Sequence, residues 1–217
     1  MRIHGSVPVA VLAALTAAGC DRISGLRGSG HPRSEQRTVE TFDQVQISGG
    51  LNATVVVGPA VSLAITADDN LLPLITSRVD HGQLQIRTTQ SISSVTPVNI
   101  QVSVPSLTTL DVSGGVTVTA TGINAPSFDV HASGGSSVTI GGRAPQFSAT
   151  LSGGVQLQAD GLVAERVRID GTGGVRASIF ASQQIDGAMA GGAMLEVQGN
   201  PGVRRVNASG AAMVTYR

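Results

Sequence analysis

A three-residue step of one small residue and two glycines recurs along the chain and limits its folds more than any other feature. It reads Ser48-Gly49-Gly50, Ser113-Gly114-Gly115, Ser133-Gly134-Gly135, Ser152-Gly153-Gly154, Thr172-Gly173-Gly174, Ala190-Gly191-Gly192 and, in variant form, Ser209-Gly210-Ala211. From the second copy onward the first residues lie 20, 19, 20, 18 and 19 apart. A near-constant period of this size marks a stacked-repeat architecture.

The residues flanking each step alternate. Five positions after the first residue stand Ala53, Val118, Val138, Leu157, Ala177, Leu195 and Val214, and seven after it Val55, Ala120, Ile140, Ala159, Ile179, Val197 and Tyr216. Between them lie Thr54, Thr119, Thr139, Gln158, Ser178, Glu196 and Thr215. Upstream, Val45, Leu110, Val130, Ala149, Ile169, Gly187 and Val206 precede a mostly polar position. Period 2 on both sides of a glycine corner predicts strand, corner, strand and a short return. One such unit cannot bury its apolar face alone. Stacked at about 4.8 Å, the copies make one continuous core.

The prediction is an all-β, single-domain, parallel β-helix-like solenoid over 39–217, with coils of about 19 residues, five to six of them in 105–217. Phe128 and Phe147 share a place in successive copies and are expected to stack inside. Apolar runs at 53–57, 61–65, 84–86 and 98–104 predict first coils and a cap; 71–75, broken by Pro73, predicts a short strand or a turn of helix. A β-sandwich is the alternative. A period near 19 is not a multiple of six, and neither a leucine-rich frame nor the Gly-Gly-x-Gly-x-Asp calcium repeat is present.

The N-terminus reads as an address. Arg2 precedes the apolar stretch 7–15, which is too short to span a bilayer, and Ala17, Ala18 and Gly19 follow. Residues 1–19 are thus expected to be a signal peptide. Cys20, the sole cysteine, stands directly after Ala17-Ala18-Gly19 and resembles the acylated cysteine of a bacterial lipoprotein, although Ala17 replaces the usual leucine. The resemblance implies a lipidated Cys20, a membrane partner through that anchor, and a location in the cell envelope, facing the periplasm or the cell surface. Residues 21–38, rich in Gly, Ser and Arg, predict a flexible tether, so that 20–38 is anchor plus linker.

Charge balances at 14 Arg against 14 acids with no Lys, and charged residues make up 13% of the chain. No cationic field suited to nucleic acid is expected from that distribution.

Phe42-Asp43-Gln44-Val45 leading into Ser48-Gly49-Gly50-Leu51, then Ala67-Asp68-Asp69-Asn70-Leu71-Leu72-Pro73, then Gly82-Gln83-Leu84 and the Ser-Gly-Gly ladder form an ordered set. The chain resembles, over about 36–217, the bacterial family labelled "putative auto-transporter adhesin, head GIN domain". The resemblance implies an exported or lipid-anchored protein with a parallel β-helix-like fold. The adhesin label is an inference about the family rather than a demonstrated activity.

Candidate chemistry is sparse. Asp68, Asp69 and Asn70 gather hard oxygen ligands and could hold Ca²⁺. The same triplet also reads as a strand-ending turn closed by Asx hydrogen bonds, which is preferred, so neither metal nor cofactor is expected. Asp111, His131 and Asp170 share one outward position on different coils, and Asp111 with His131 would be neighbours at the coil spacing. With no nucleophile singled out, a solvated ladder is preferred to a catalytic pair. Arg166, Arg168 and Arg176 are close in sequence without an acidic cluster. Met194 and Met213 occupy an outward row that is otherwise Asn52, Thr117, Ser137, Gln156 and Arg176. Together with Tyr216 in the final coil they predict a sticky edge that docks another copy or a partner. The expected function is a non-enzymatic, adhesin-like or structural envelope module that binds an envelope protein or glycan. The alternatives are a small carbohydrate-active β-helix enzyme and a self-assembling scaffold.

Overall fold

The computed structural model describes residues 25–217. Cys20 and the segment 1–19 lie outside the described residues.

The chain is a parallel β-solenoid. Its turns begin at Thr109–Ser113, Ser127–Gly134, Gln146–Gly153, Arg166–Gly173, Gln184–Gly191 and Val203–Gly210, stacked in that order in one sheet. Across the glycine corner, Thr117–Asn124, Ser137–Arg143, Gln156–Val163, Arg176–Phe180, Met194–Gln198 and Met213–Tyr216 stack in the same order in a second sheet. Equivalent residues face one another from coil to coil: Leu110 opposite Val130, Val130 opposite Ala149, Ala149 opposite Ile169. Each sheet turns its apolar positions inward, so the alternation read from the sequence becomes two walls of one core.

Register is set at the corners. Gly134, Gly153, Gly173 and Gly191 all have positive φ, a region that L side chains avoid. A Cβ on Gly153 would stand 3.0 Å from the Gly134 carbonyl oxygen. The next glycine ties the turn to its neighbour, as Gly154 N–H donates to the Gly134 carbonyl at 2.8 Å. Just past the corner stand Leu51, Val116, Ser136, Val155, Val175, Ala193 and Ala212, buried except for the half-buried Ala212. Ser136 is the polar member of that row, and its hydroxyl is satisfied by the Gly114 and Ser133 carbonyls at 2.8 and 2.7 Å. Phe128 and Phe147 stack inside, centroids 6.3 Å apart and planes 12° from parallel.

The first coil, Gln44–Ser48 and Asn52–Val57, packs under the coil that starts at Thr109. The chain between them leaves the helical path and builds a cap. Ile75–Asp80 and Gln83–Thr88 pair antiparallel and close one sheet; Ser62–Asp68 runs antiparallel to Asn99–Val104 in the other. Leu72–Leu74, with Pro73, is a 3₁₀ turn, in keeping with the turn of helix among the expectations.

The tether expected over 21–38 is corrected from residue 25 on, and with it the domain start at 39. Leu26–Arg27 pairs with Ile92–Ser93, and Pro32–Arg37 forms the outer strand against Ser62–Asp68. Pro32–Arg37 has no buried residue and thus no apolar pattern to betray it. It is held by the backbone ladder and by Arg37, whose guanidinium donates to the Ile75 carbonyl at 2.6 Å and the Leu72 carbonyl at 3.1 Å. A proline at the first residue of an outer strand removes no ladder bond.

Candidate functional site

The acidic triplet of the cap is a clasp. Asp68 is fully buried, and its Oδ2 accepts from the Val95 N–H at 3.0 Å and from the Thr96 N–H at 3.4 Å. Burial pushes this carboxyl up. Donation from the Thr96 hydroxyl and from the Val95 and Thr96 amides outweighs it and holds the pKa below the usual aspartate value. Asp69 Oδ1 accepts from the Asn70 N–H at 2.7 Å and the Ser29 hydroxyl at 2.5 Å, and these bonds likewise hold it low. Asn70 accepts from the Ser29 N–H at 2.9 Å and donates to the Arg27 carbonyl at 2.9 Å. These bonds fasten 27–31 and 93–96 to the cap, while Asp68 Oδ1 is buried without a hydrogen-bond partner. Among the described residues no three His, Cys, Asp or Glu converge as metal ligands. The long-range burial of Asp68 left no trace in the local sequence.

Asp111 and His131 face each other in register on adjacent coils. Burial pushes the half-buried Asp111 carboxyl up, against the His131 charge and a 2.7 Å bond from the Gln83 side-chain amide. Asp170 lies two coils beyond His131, bonded to the Ala188 N–H at 3.0 Å and paired with Arg168 at 3.3 Å. The outward position brings Asp111 and His131 side by side and leaves Asp170 two coils away on partners of its own. The arginines do not converge either: Arg166 and Arg168 stand on the first sheet, Arg176 on the second.

The second sheet carries a groove of about 450 Å³ on its outward side, in the last coils. Its floor is apolar where Met213 lies opposite Met194. These two are 61% and 50% exposed, while the earlier coils place polar side chains in that row. Arg176, Glu196 and Arg217 ring the pair, with Glu196 and Arg217 in contact at 3.3 Å. Tyr216 is not in the groove wall: it points to the core side, half-buried, and the Arg204 guanidinium covers its ring at 4.4 Å. The methionines were thus legible as an outward pair, but the tyrosine's partner was not.

The family model described as "Putative auto-transporter adhesin, head GIN domain" matches residues 41–201. The chain belongs to this family. Similar solved structures include a putative adhesin of Bacteroides fragilis, with TM-score 0.72 and 17% identity over 89% of this chain and 100% of that one. A putative lipid binding protein of Parabacteroides distasonis has TM-score 0.60 and 15% identity over 89% of this chain and 100% of its own. A putative adhesin of Parabacteroides merdae has TM-score 0.53 and 15% identity over 89% and 99%. Identities this low show a shared fold. Among curated proteins no match is found.

Proposed function

We propose that this protein is a non-enzymatic binding module of the bacterial cell envelope, acylated at Cys20, which holds a protein partner in the groove around Met194 and Met213. One observation carries the reading. The outward row of Asn52, Thr117, Ser137, Gln156 and Arg176 is polar from coil to coil, and where it turns to methionine the same surface is hollowed and ringed by Arg176, Glu196 and Arg217. Exposed methionines cost hydration and offer soft, adaptable contact, which suits a surface that is covered in use. The charged ring supplies orientation at the rim. The family to which the chain belongs carries an adhesin label, which agrees with a binding role.

The test is photo-crosslinking in intact cells from position 215, in the groove, and from position 54, far down the same sheet. A product from 215 that is absent from 54, and that disappears in M194D/M213D while the far-ultraviolet spectrum is unchanged, is expected. Equal products from both positions, or one insensitive to the double substitution, rejects the groove as the binding surface. A product at the mass of two chains assigns the partner as a second copy. The mass of the mature N-terminal peptide checks acylation separately.

A further inference from the structure

The link between Cys20 and the first strand restricts where an anchored domain sits. An eighteen-residue linker could reach roughly 60 Å. Sheet structure begins at Leu26, so from Cys20 to Gly25 the chain spans at most about 18 Å, even fully extended. A domain on so short a leash does not stand off from its membrane; one end of it lies against the surface.

That end is the cap, and its surface is suited to the contact. The segments 25–30 and 91–96 run side by side, with Leu26 N–H bonded to the Ser91 carbonyl and Gly28 N–H to the Ser93 carbonyl, both at 2.9 Å. Two of the large apolar side chains that the fold leaves exposed are here: Leu26, 45% exposed, and Val95, 55% exposed. Between Arg87 and Asp111 the chain has no charged residue, in a protein that otherwise carries 28. This stretch, which contains 91–96, therefore meets an interface without desolvating an ion. Exposed Arg27 stands beside Leu26, where it can meet lipid phosphate. The neighbouring acid, Asp69, is occupied by Ser29 and Asn70. The Asp68 clasp holds the two segments as one body.

We propose that the capped end of the solenoid rests on the bilayer surface through Leu26, Arg27 and Val95, with the last coils and their methionine groove pointing away. This rests on the anchoring at Cys20 proposed above. The occupant is the lipid surface itself, because the length of the leash puts it within reach. In this pose the axis stands away from the membrane. Met213 lies seven strand steps beyond Asn99–Val104, about 34 Å at the usual spacing.

The test uses the full chain, produced with its own leader and reconstituted in phosphatidylethanolamine–phosphatidylglycerol vesicles that contain brominated lipid. Cys20 is the sole native cysteine. In the acylated protein, V95C and M213C each offer one thiol for an environment-sensitive dye. At position 95 the emission is expected to shift to the blue and to be quenched by the brominated lipid; at position 213 neither change is expected. Quenching that is equal at the two positions, or absent from 95, overturns the pose, and an acylated Cys20 in the same sample leaves the anchor standing. An unmodified Cys20 with no vesicle flotation overturns anchor and pose together. A dye at 95 already shielded in detergent, with V95C chains crosslinking to each other, overturns the pose in favour of a second copy.

Discussion

Gly134 and Gly135 are adjacent in one corner, yet alanine should act on them with opposite sign. Gly134 has φ +77°, and a Cβ there would stand 3.2 Å from the amide nitrogen and carbonyl oxygen of Gly114 in the coil below. Alanine in the left-handed region costs about 1–2 kcal/mol, and the backbone contact cannot yield by rotating a side chain. Against this, an unfolded chain with alanine for glycine is less free, which returns about 0.4–1 kcal/mol where the native conformation is compatible. These two effects leave a loss of up to about 1.6 kcal/mol, to which the backbone contact adds, or up to roughly 6 °C in Tm for a domain of this size. Gly135 has no atom within 4 Å of its would-be Cβ, and its φ lies outside the left-handed region. G135A should therefore gain about 0.4–1 kcal/mol, a rise of roughly 1–4 °C. Ala211 already occupies the equivalent place in the last corner. Thermal and urea unfolding by far-ultraviolet dichroism compares the two variants on one baseline. Because the sites are neighbours, any departure from two-state behaviour affects both alike. A G135A variant destabilised as much as G134A would refute the account of the corner.

Four other substitutions probe the core, a carboxylate and the clasp. Met189 is fully buried, and a Cβ on Gly171 would lie 2.7 Å from its terminal methyl. M189A should cost about 2–5 kcal/mol, and G171A should become stabilising in that background by filling part of the cavity, a coupling that a double-mutant cycle in urea measures. Asp111 is the group whose pKa is raised on folding. Its favourable contribution is complete below the unfolded value of about 3.9 and is lost as pH rises through the folded value. D111N should therefore raise the midpoint at pH 7 relative to pH 3, because it removes a charge that burial disfavours. Asp68 and Asp69 have lowered values and the opposite sign: their contribution is present above about pH 4 and is lost as pH falls through the folded values. A Cβ on Gly28 would stand 1.7 Å from Asp68 Oδ2. G28A should speed amide exchange at 26–28 and 93–96 and leave exchange in the coils from 109 onward unchanged. Loss of protection throughout the solenoid would show that the cap and the coils are one cooperative unit.

The coils were legible because their determinants are local and repeated. The positive-φ glycines, the alternation beside them and the Phe128–Phe147 pair all lie within one period of the copies they contact, so spacing alone aligned them. The N-terminal strand was not legible, because what makes Pro32–Arg37 a strand is the backbone of Ser62–Asp68 and the carbonyls that Arg37 reaches at Leu72 and Ile75. An outer strand exposed on both faces has no hydrophobic signature to read. The long-range bonds of Asp68 were not legible for the same reason. Its donors are 27 and 28 residues away, whereas the sequence around it suggests only a local turn or a cluster of oxygen ligands. At the methionine groove, the outward row was visible in the spacing. The hollow beside it depends on how Gln156, Ser178 and Glu196 stand on adjacent coils, and a list of positions does not carry that.

The excursion between Asn52–Val57 and Thr109–Ser113 has a kinetic meaning. From Thr109 on, each coil closes onto its predecessor across a loop of about twenty residues, and such closures are fast and nearly equal in entropy. Gln44–Ser48 meets its neighbour in the stack only across 65 residues, as the pairing of Gln44 with Thr109 shows. Its other neighbour is Gln83–Thr88, a strand of the excursion itself. The first repeat to leave the ribosome therefore closes onto the stack across a longer loop than any later coil, at a cost of about 1 kcal/mol more in closure entropy.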